Sequence, residues 1–185
     1  MGKFLKCVLP MMMLVSMFLT LWLQPGIIEA ASLSNSQWCI VRSPNNGTQG
    51  DFLYSVATVS SSDIWAVGYY VNKVGQQRAL IEHSNGTSWS IVKGVQANGG
   101  HLNAVSAVSS NNIWAVGSYY VGNVIQTLVE HWDGNTWRLV PSPNPPSSPE
   151  SMLLGVAVVS SNDIWAVGFY DAGSKLFQSL TETYC

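Results

Sequence analysis

The most constraining feature of this chain is a six-residue phrase that it repeats. Asp-Ile-Trp-Ala-Val-Gly stands at Asp63–Gly68 and at Asp163–Gly168, and Asn-Ile-Trp-Ala-Val-Gly stands between them at Asn112–Gly117. The copies begin roughly 50 residues apart, a period typical of repeat architectures. Each repeat is therefore expected to be one structural unit that buries its apolar face against its neighbour.

Each repeat consists of short apolar runs separated by turn residues. A β-branched run and a Ser-Ser-Xaa-Asp/Asn turn precede each phrase, so that run and the phrase predict a hairpin. A third run such as Ala79–His83 leads to Asn85-Gly86 or Asp133-Gly134, which are strong signals of a second hairpin. A fourth run containing Trp completes the unit. The glycine that ends each phrase suits a bulge or a close backbone approach.

These runs predict an all-β fold: a partial β-propeller of about three four-stranded antiparallel blades. The repeats lie near residues 51–99, 100–149 and 150–185 of a domain that spans residues 32–185. A sandwich of short strands is the alternative fold, but it gives no reason for near-identical copies.

The third repeat differs from the others because its fourth run is missing. It stops after its third run, Ser179–Cys185, while residues 35–45 align with 135–144, the fourth run of the second repeat. We therefore expect residues 35–45 to act as a displaced fourth strand. First and last segments that share one blade would protect the sheet edges.

The beginning of the chain predicts export. Lys3 and Lys6 precede a long apolar run, and small residues follow at Ala30 and Ala31. This pattern is typical of a secretory signal peptide, which we place at residues 1–31. The protein would then be secreted or held at the cell surface. An uncleaved membrane anchor is the alternative, and only in that case is a membrane contact expected.

The charge of the chain excludes one large class of partner. The chain has 8 Lys and Arg against 10 Asp and Glu, so its formal net charge is −2. Neutralising a run of phosphates needs a basic surface, so we do not expect nucleic-acid binding. An unidentified protein or glycan is the expected partner, and a homodimer is a further option.

The second repeat resembles a family of secreted bacterial propellers. Its residues match the WAVG-repeat proteins, which are related to kelch and galactose-oxidase-type propellers, through Trp114, Gly117, Glu130, His131, Trp132, Gly134, Trp137, Val140, Ser142 and Pro143. The first repeat departs from this pattern at Ser84, and the third departs at Thr183 and Tyr184. The resemblance implies a propeller-type fold and export, and it implies no catalytic residue.

The number of repeats raises a problem of closure, because propellers usually need about four to eight blades. Three arrangements remain open. The chain is a truncated fragment, or two copies join into a six-bladed ring, or the protein is an open arc with exposed edges.

Several residues recur at equivalent places and are candidates for a site. The tryptophans are best interpreted as the repeat core rather than a sugar-stacking ring, because every repeat carries one: Trp65, Trp114, Trp165, Trp89 and Trp137. Glu82-His83 and Glu130-His131 point to opposite faces of a strand, so each pair suggests a structural role.

We expect no catalytic, cofactor-binding or metal-binding residues. Cys39 and Cys185 would approach each other if residues 35–45 complete a blade, so they are a candidate disulfide, more plausibly between two chains than within one. The sequence thus predicts a non-catalytic, exported binding or cell-surface module. The alternatives are a fragment of a glycan-active propeller enzyme and a truncated repeat protein without independent function.

Overall fold

A computed structural model describes residues 38–184 of the chain. The chain divides into two compact units, Met1–Val41 and Arg42–Cys185. The predicted signal peptide at 1–31 and the residue Cys185 lie outside the described residues. Within residues 38–184 no helix is long and apolar enough to cross a membrane.

The second unit contains eleven β-strands. They are β1 (Asp51–Ser60), β2 (Asp63–Val71), β3 (Gln77–Ser84), β4 (Trp89–Ile91), β5 (His101–Ser109), β6 (Asn112–Val121), β7 (Val124–Trp132), β8 (Trp137–Leu139), β9 (Ser151–Ser160), β10 (Asp163–Asp171) and β11 (Phe177–Tyr184).

The strands form three antiparallel sheets, and each sheet is a meander of strands consecutive in the chain. The first sheet has the order β1-β2-β3-β4, the second β5-β6-β7-β8, and the third β9-β10-β11. The repeated phrase is the second strand of each sheet. The predicted all-β partial propeller is confirmed, with two four-stranded blades and one three-stranded blade among the described residues.

The glycine of the phrase is required by a bulge in the first strand of each sheet. Gly68 lies opposite Leu53, where the register between β1 and β2 shifts. A Cβ atom on Gly68 would overlap the carbonyl oxygen of Phe52, and Gly117 has the same relation to His101. A residue with a side chain would therefore force the first strand away from the second.

Each sheet has two different faces, because successive side chains alternate across a strand. We call one the Trp face; in the first sheet it carries Trp65, Val67, Ile81 and His83. We call the other the Glu face; in the first sheet it carries Ile64, Ala66, Leu80 and Glu82. The equivalent residues of the other sheets define the same two faces there.

The core of the unit lies where a Trp face meets the Glu face of the next sheet. One cluster joins the first and second sheets through Trp65, Val67, Ile81, Ile113, Ala115 and Leu128. A second cluster joins the second and third sheets through Trp114, Val116, Val129, Leu153, Ile164 and Ala166. Burial of each large apolar side chain contributes about 1.5–3 kcal/mol. The sheets are therefore held in sequence by the repeated residues themselves.

Of residues 35–45, expected to be a displaced fourth strand, the structure describes residues 38–45. No strand is assigned there, and Trp38 and Ile40 are fully exposed. A three-residue outer strand such as β8 exists only through pairing with a neighbouring edge, as Trp132–Trp137 and Glu130–Leu139 pair in the second sheet. Among the described residues, the third sheet has three strands.

Candidate functional site

The five tryptophans predicted as repeat core occupy different environments. Trp65 and Trp114 are 3% exposed and Trp137 is 6% exposed, whereas Trp89 is partly buried. Trp165 departs from the expectation, since it is 45% exposed. Trp165 stands in the same six-residue phrase as Trp65, so the phrase itself does not explain the exposure. Among the described residues, no fourth sheet packs on the Trp face of the third sheet.

A side-chain oxygen in each Ser-Ser turn fixes the tryptophan of the phrase. Asp63 Oδ1 accepts hydrogen bonds from Trp65 Nε1 at 2.7 Å and lies 2.9 Å from His83 Nε2. Asn112 makes the same two contacts in the second sheet, at 2.8 Å to Trp114 and 2.8 Å to His131. Since an amide replaces the carboxylate there, the shared role is to hold the indole and imidazole rings in place.

The repeated glutamate anchors the segment that leads into its own sheet; we call these segments connectors. Glu130 Oε2 accepts a hydrogen bond from the backbone N–H of Val95 at 3.0 Å. Glu182 Oε2 accepts one from Ser142 Oγ at 2.6 Å. A side-chain hydrogen bond with Ser43 acts to lower the pKa of Glu82. The second and third sheets are thus attached through their glutamates to the chain segments that precede them.

Glu82 and Glu130 are buried and Glu182 is partly buried, and this burial shifts the pKa of each carboxyl group. Burial raises the pKa of Glu130 to about 7, against the opposing effect of the Val95 N–H. Burial likewise raises the pKa of Glu82 and of Glu182, while the hydrogen bonds from Ser43 and Ser142 act in the opposite direction. One carboxylate oxygen of each glutamate lacks a hydrogen-bond partner among the described residues, which fits carboxyl groups that favour the protonated form.

The two junctions between sheets differ at one aromatic position. Between the first and second sheets, Trp137 packs its ring 5.6 Å from that of Trp65 and 5.9 Å from that of Trp132. Between the second and third sheets, the Trp114 and Tyr184 rings repeat the Trp65–Trp132 pair at 4.9 Å. No aromatic residue of the described part takes the place of Trp137 in this second junction.

An open pocket of about 60 Å³ occupies that position. We call it the junction pocket; it is lined by Trp114, Val116, Val129, Val140, Pro141, Ser142, Pro143, Ile164, Ala166, Glu182, Thr183 and Tyr184. Several of these residues are the repeat equivalents of members of the cluster that contains Trp137. The junction pocket therefore lies at the position that Trp137 occupies in the first junction.

The edge of the third sheet lies beside the junction pocket. β11 is the outer strand of that sheet and pairs only with β10 among the described residues. Its residues are mostly exposed, including Tyr184 at 48%. An unpaired edge strand offers N–H and C=O groups to an incoming strand. The edge and the junction pocket together form the candidate site.

The predicted disulfide and the absence of metal ligands can be compared with the structure only in part. Cys39 is disulfide-bonded, and Cys185 lies outside the described residues. Within residues 38–184, no group of three or more His, Cys, Asp or Glu side chains is placed to hold a metal ion.

Comparison with known proteins finds similarity among solved structures. No protein-family model matches the chain, and no curated protein matches it. Among solved structures the chain is similar to YCF48 bound to a D1 peptide, with a TM-score of 0.48 and 16% sequence identity over 75% of this chain. The chain spans 42% of the length of that protein chain.

The residues that line the junction pocket were not predicted as a site. The sequence did contain a signal for part of this lining, because Trp114, Ile164 and Ala166 belong to the repeated phrase. The glutamate contacts had a weaker signal, the recurrence of Glu-His in two repeats.

Proposed function

We propose that this chain is a non-catalytic interaction module of the exported, WAVG-repeat and kelch-like type, which binds an extended segment of a partner protein. The segment adds a strand to the free edge of β11 and inserts an aromatic side chain into the junction pocket. The observation that carries this proposal is the difference between the two junctions. Trp137 fills a position between the first and second sheets, and the equivalent position between the second and third sheets is the open junction pocket.

Strand addition suits the chemistry of this edge. Main-chain hydrogen bonds would supply affinity, and a pocket for one side chain would supply specificity. The second sheet provides the template, because β8 pairs with β7 through Trp132–Trp137, His131–Arg138 and Glu130–Leu139. The equivalent positions on β11 are Tyr184, Thr183 and Glu182.

A non-catalytic role is supported by the equivalence of Asp63 and Asn112. An acid–base or nucleophilic role for Asp63 would need its carboxylate, whereas Asn112 makes the same contacts with an amide. Asp163 holds Trp165 Nε1 at 2.8 Å in the same way. These oxygens are used to orient aromatic rings.

Export is part of the proposal and rests on the basic start and apolar run of residues 1–31. The expected result is recovery of the protein outside the producing cell, or on its surface, with an amino terminus near Ala31. Amino-terminal sequencing of the cell-surface and medium fractions measures this. Recovery of the protein only inside the cell would contradict the exported location.

Site-specific photo-cross-linking in the producing cell tests the interaction surface. A benzoylphenylalanine residue replaces Tyr184 at the junction pocket, and in a matched control it replaces Tyr120, which is 44% exposed and lies outside the pocket. We expect a protein adduct at position 184 and little at position 120. Equal adducts at both positions, adducts only with carbohydrate, or no adduct at position 184 would each overturn the proposal.

A further inference from the structure

A second open pocket lies between the first and second sheets, at the end of the strands where the Ser-Ser turns stand. We call it the Asp63 pocket. It has a volume of about 340 Å³, and its lining includes Asp63, His83, Trp132 and the two serines Ser62 and Ser110. It shares no lining residue with the junction pocket. A function of the Asp63 pocket would therefore be additional to strand addition at β11.

Asp63 has one carboxylate oxygen that the described fold does not use. Its Oδ1 accepts a hydrogen bond from Trp65 Nε1 at 2.7 Å and lies 2.9 Å from His83 Nε2. Among residues 38–184, no group donates a hydrogen bond to Oδ2. The side chain of Asp63 is only 18% exposed, so water solvates this charge incompletely. Such a carboxylate is stabilised by a ligand that donates hydrogen bonds and carries a positive charge.

The charge of Asp63 is not balanced by a basic side chain in the pocket. No Lys or Arg among the described residues lines it. His83 does not have to be charged to make its contact, because His131 makes the equivalent contact at 2.8 Å with the uncharged amide of Asn112. With a neutral imidazole that donates one N–H to Oδ1, the Asp63 pocket keeps its negative charge.

An indole ring stands beside this charge. Trp132 is partly exposed, and its ring is held by a hydrogen bond from Nε1 to the carbonyl oxygen of Ser110 at 3.1 Å. Trp65 packs against it with a ring distance of 5.1 Å but is itself 3% exposed. Trp132 therefore supplies the accessible aromatic surface. Because indole attracts cations more strongly than the other aromatic side chains do, carboxylate and indole together favour a cationic ligand.

We infer that the Asp63 pocket binds a primary ammonium group carried on an aliphatic chain, either a lysine side chain of another protein or a free amine. The ammonium group donates to Asp63 Oδ2, and its other N–H groups can reach hydroxyl oxygens such as those of Ser62 and Ser110. The aliphatic chain lies against Trp132.

Other organic cations fit this pocket less well. A guanidinium group binds best when both carboxylate oxygens accept from its planar fork, and Asp63 Oδ1 already has two partners. A quaternary ammonium group has no N–H to donate to Oδ2. The free oxygen therefore selects a primary ammonium group.

The second repeat supplies the variant that tests the inference. Asn112 Oδ1 holds the indole and imidazole rings of its own sheet at 2.8 Å each. Asp63→Asn can therefore keep both ring contacts, while it replaces Oδ2 by an amide NH2 that donates instead of accepting. Asp163→Asn is the matched control. It removes the same charge from the same phrase, at a residue that holds Trp165 outside the Asp63 pocket.

Titration of the full chain with Nα-acetyl-lysine methylamide or with n-butylamine tests the inference, followed by the indole N–H signals in NMR spectra at about pH 8, where imidazole side chains carry little charge. We expect dissociation constants on the order of 1 mM and shifts of the Trp65 and Trp132 signals. Nα-acetyl-norleucine methylamide, which lacks the ammonium group, should give no response. Asp63→Asn should weaken binding at least about tenfold, and Asp163→Asn should leave it unchanged.

The aromatic contribution is measured separately at position 132. Trp132→Leu should weaken binding about threefold. Trp132→Tyr should keep most of the affinity, because it retains an aromatic ring and because the third sheet carries Tyr184 at the equivalent position. The Trp65 indole signal shows in each variant whether its hydrogen bond at position 63 is kept, which separates loss of binding from loss of folding.

The outcomes distinguish the two sources of the ammonium group. Equal affinities for the two amines support a free amine as the ligand, and tighter binding of the lysine derivative supports a protein side chain. The inference is wrong if neither amine shifts the indole signals at about ten times the expected constant, if the norleucine derivative binds equally well, or if Asp63→Asn binds like the natural chain. None of these results bears on the cross-linking experiment at position 184.

Discussion

The junction between the first and second sheets and the junction between the second and third are built from the same repeated residues. In the first, Trp65, Trp132 and Trp137 form a three-ring cluster. In the second, Trp114 and Tyr184 supply two of the three rings, and the junction pocket lies at the third position. The difference comes from which strands are present and not from the phrase that organises each sheet.

The comparison teaches that the repeated phrase does not by itself determine burial. Val67 and Val116 are at most 1% exposed, and Val167 in the same phrase is 51% exposed. The third sheet also carries Thr181 and Thr183 where the others carry Ile81 with His83 or Val129 with His131. Among the described residues, its Trp face is therefore less apolar as well as uncovered.

The largest expected effect separates the two kinds of tryptophan. Trp114→Ala should lower the free energy of unfolding by about 3–5 kcal/mol, since it opens a cavity in the cluster between the second and third sheets. Trp165→Ala alters the same position of the same phrase, but its side chain is 45% exposed, and it should cost less than about 1 kcal/mol. Urea denaturation of the two variants measures both values. Equal losses would mean that Trp165 is covered in solution.

A smaller effect tests Glu130, the glutamate that anchors the connector into the second sheet. Glu130 has a usual pKa near 4.5, raised to about 7 in the fold, so the folded state binds its proton more tightly than the unfolded state. Its contribution is fully present below pH 4.5 and is lost as the pH rises to about 7. The loss amounts to about 3 kcal/mol above that window.

Glu130→Gln isolates this contribution, because an amide oxygen can still accept the Val95 N–H and carries no charge. The difference in unfolding free energy between the variant and the natural chain should grow with pH from 4.5 to 7 and then level off. Burial lowers the pKa of His101 and His131, so their contribution changes in the opposite direction and cancels in the difference. A difference that does not vary with pH would show that Glu130 is ionised throughout.

The sequence was sufficient to predict the fold because the repeat signal and the turn signals agree. Asn85-Gly86 and Asp133-Gly134 indicate their hairpins, where both glycines have positive φ values of 85° and 93°. The alternation of Trp65 and Val67 with Ala66 indicates two-sided strands, and these side chains do pack on opposite faces. Period and turn chemistry are local, so one sequence is enough to read them.

The candidate site could not be predicted in the same way because it depends on contacts between sheets. The sequence could not show that the rings of Trp65 and Trp137 pack together across a junction. Nor could it show that Glu130 and Glu182 contact the connectors, because those contacts join residues 35 and 40 positions apart. Such contacts depend on how the sheets stack.

The smallest expected effect sharpens the comparison of the connectors that lead into the second and third sheets. The connector into the second sheet is held by the backbone N–H of Val95. The connector into the third sheet is held by the hydroxyl of Ser142, which a mutation can remove. Ser142→Ala should lower the free energy of unfolding by about 1–2 kcal/mol, because the partly buried carboxyl of Glu182 loses a donor. Ser61→Ala, at an exposed turn, is the control and should change little.

A double-mutant cycle with Glu182→Gln decides whether the Ser142–Glu182 contact itself is responsible. If the two side chains interact directly, the cost of Ser142→Ala should shrink in the Glu182→Gln background by roughly 0.5 kcal/mol or more. Additive costs would mean that Ser142 stabilises its connector through Thr127, whose hydroxyl lies 2.8 Å from Ser142 Oγ. In that case the repeated glutamate would anchor the connector into the second sheet but not the connector into the third. The two junctions between sheets would then differ in their polar contacts as well as in their aromatic contacts.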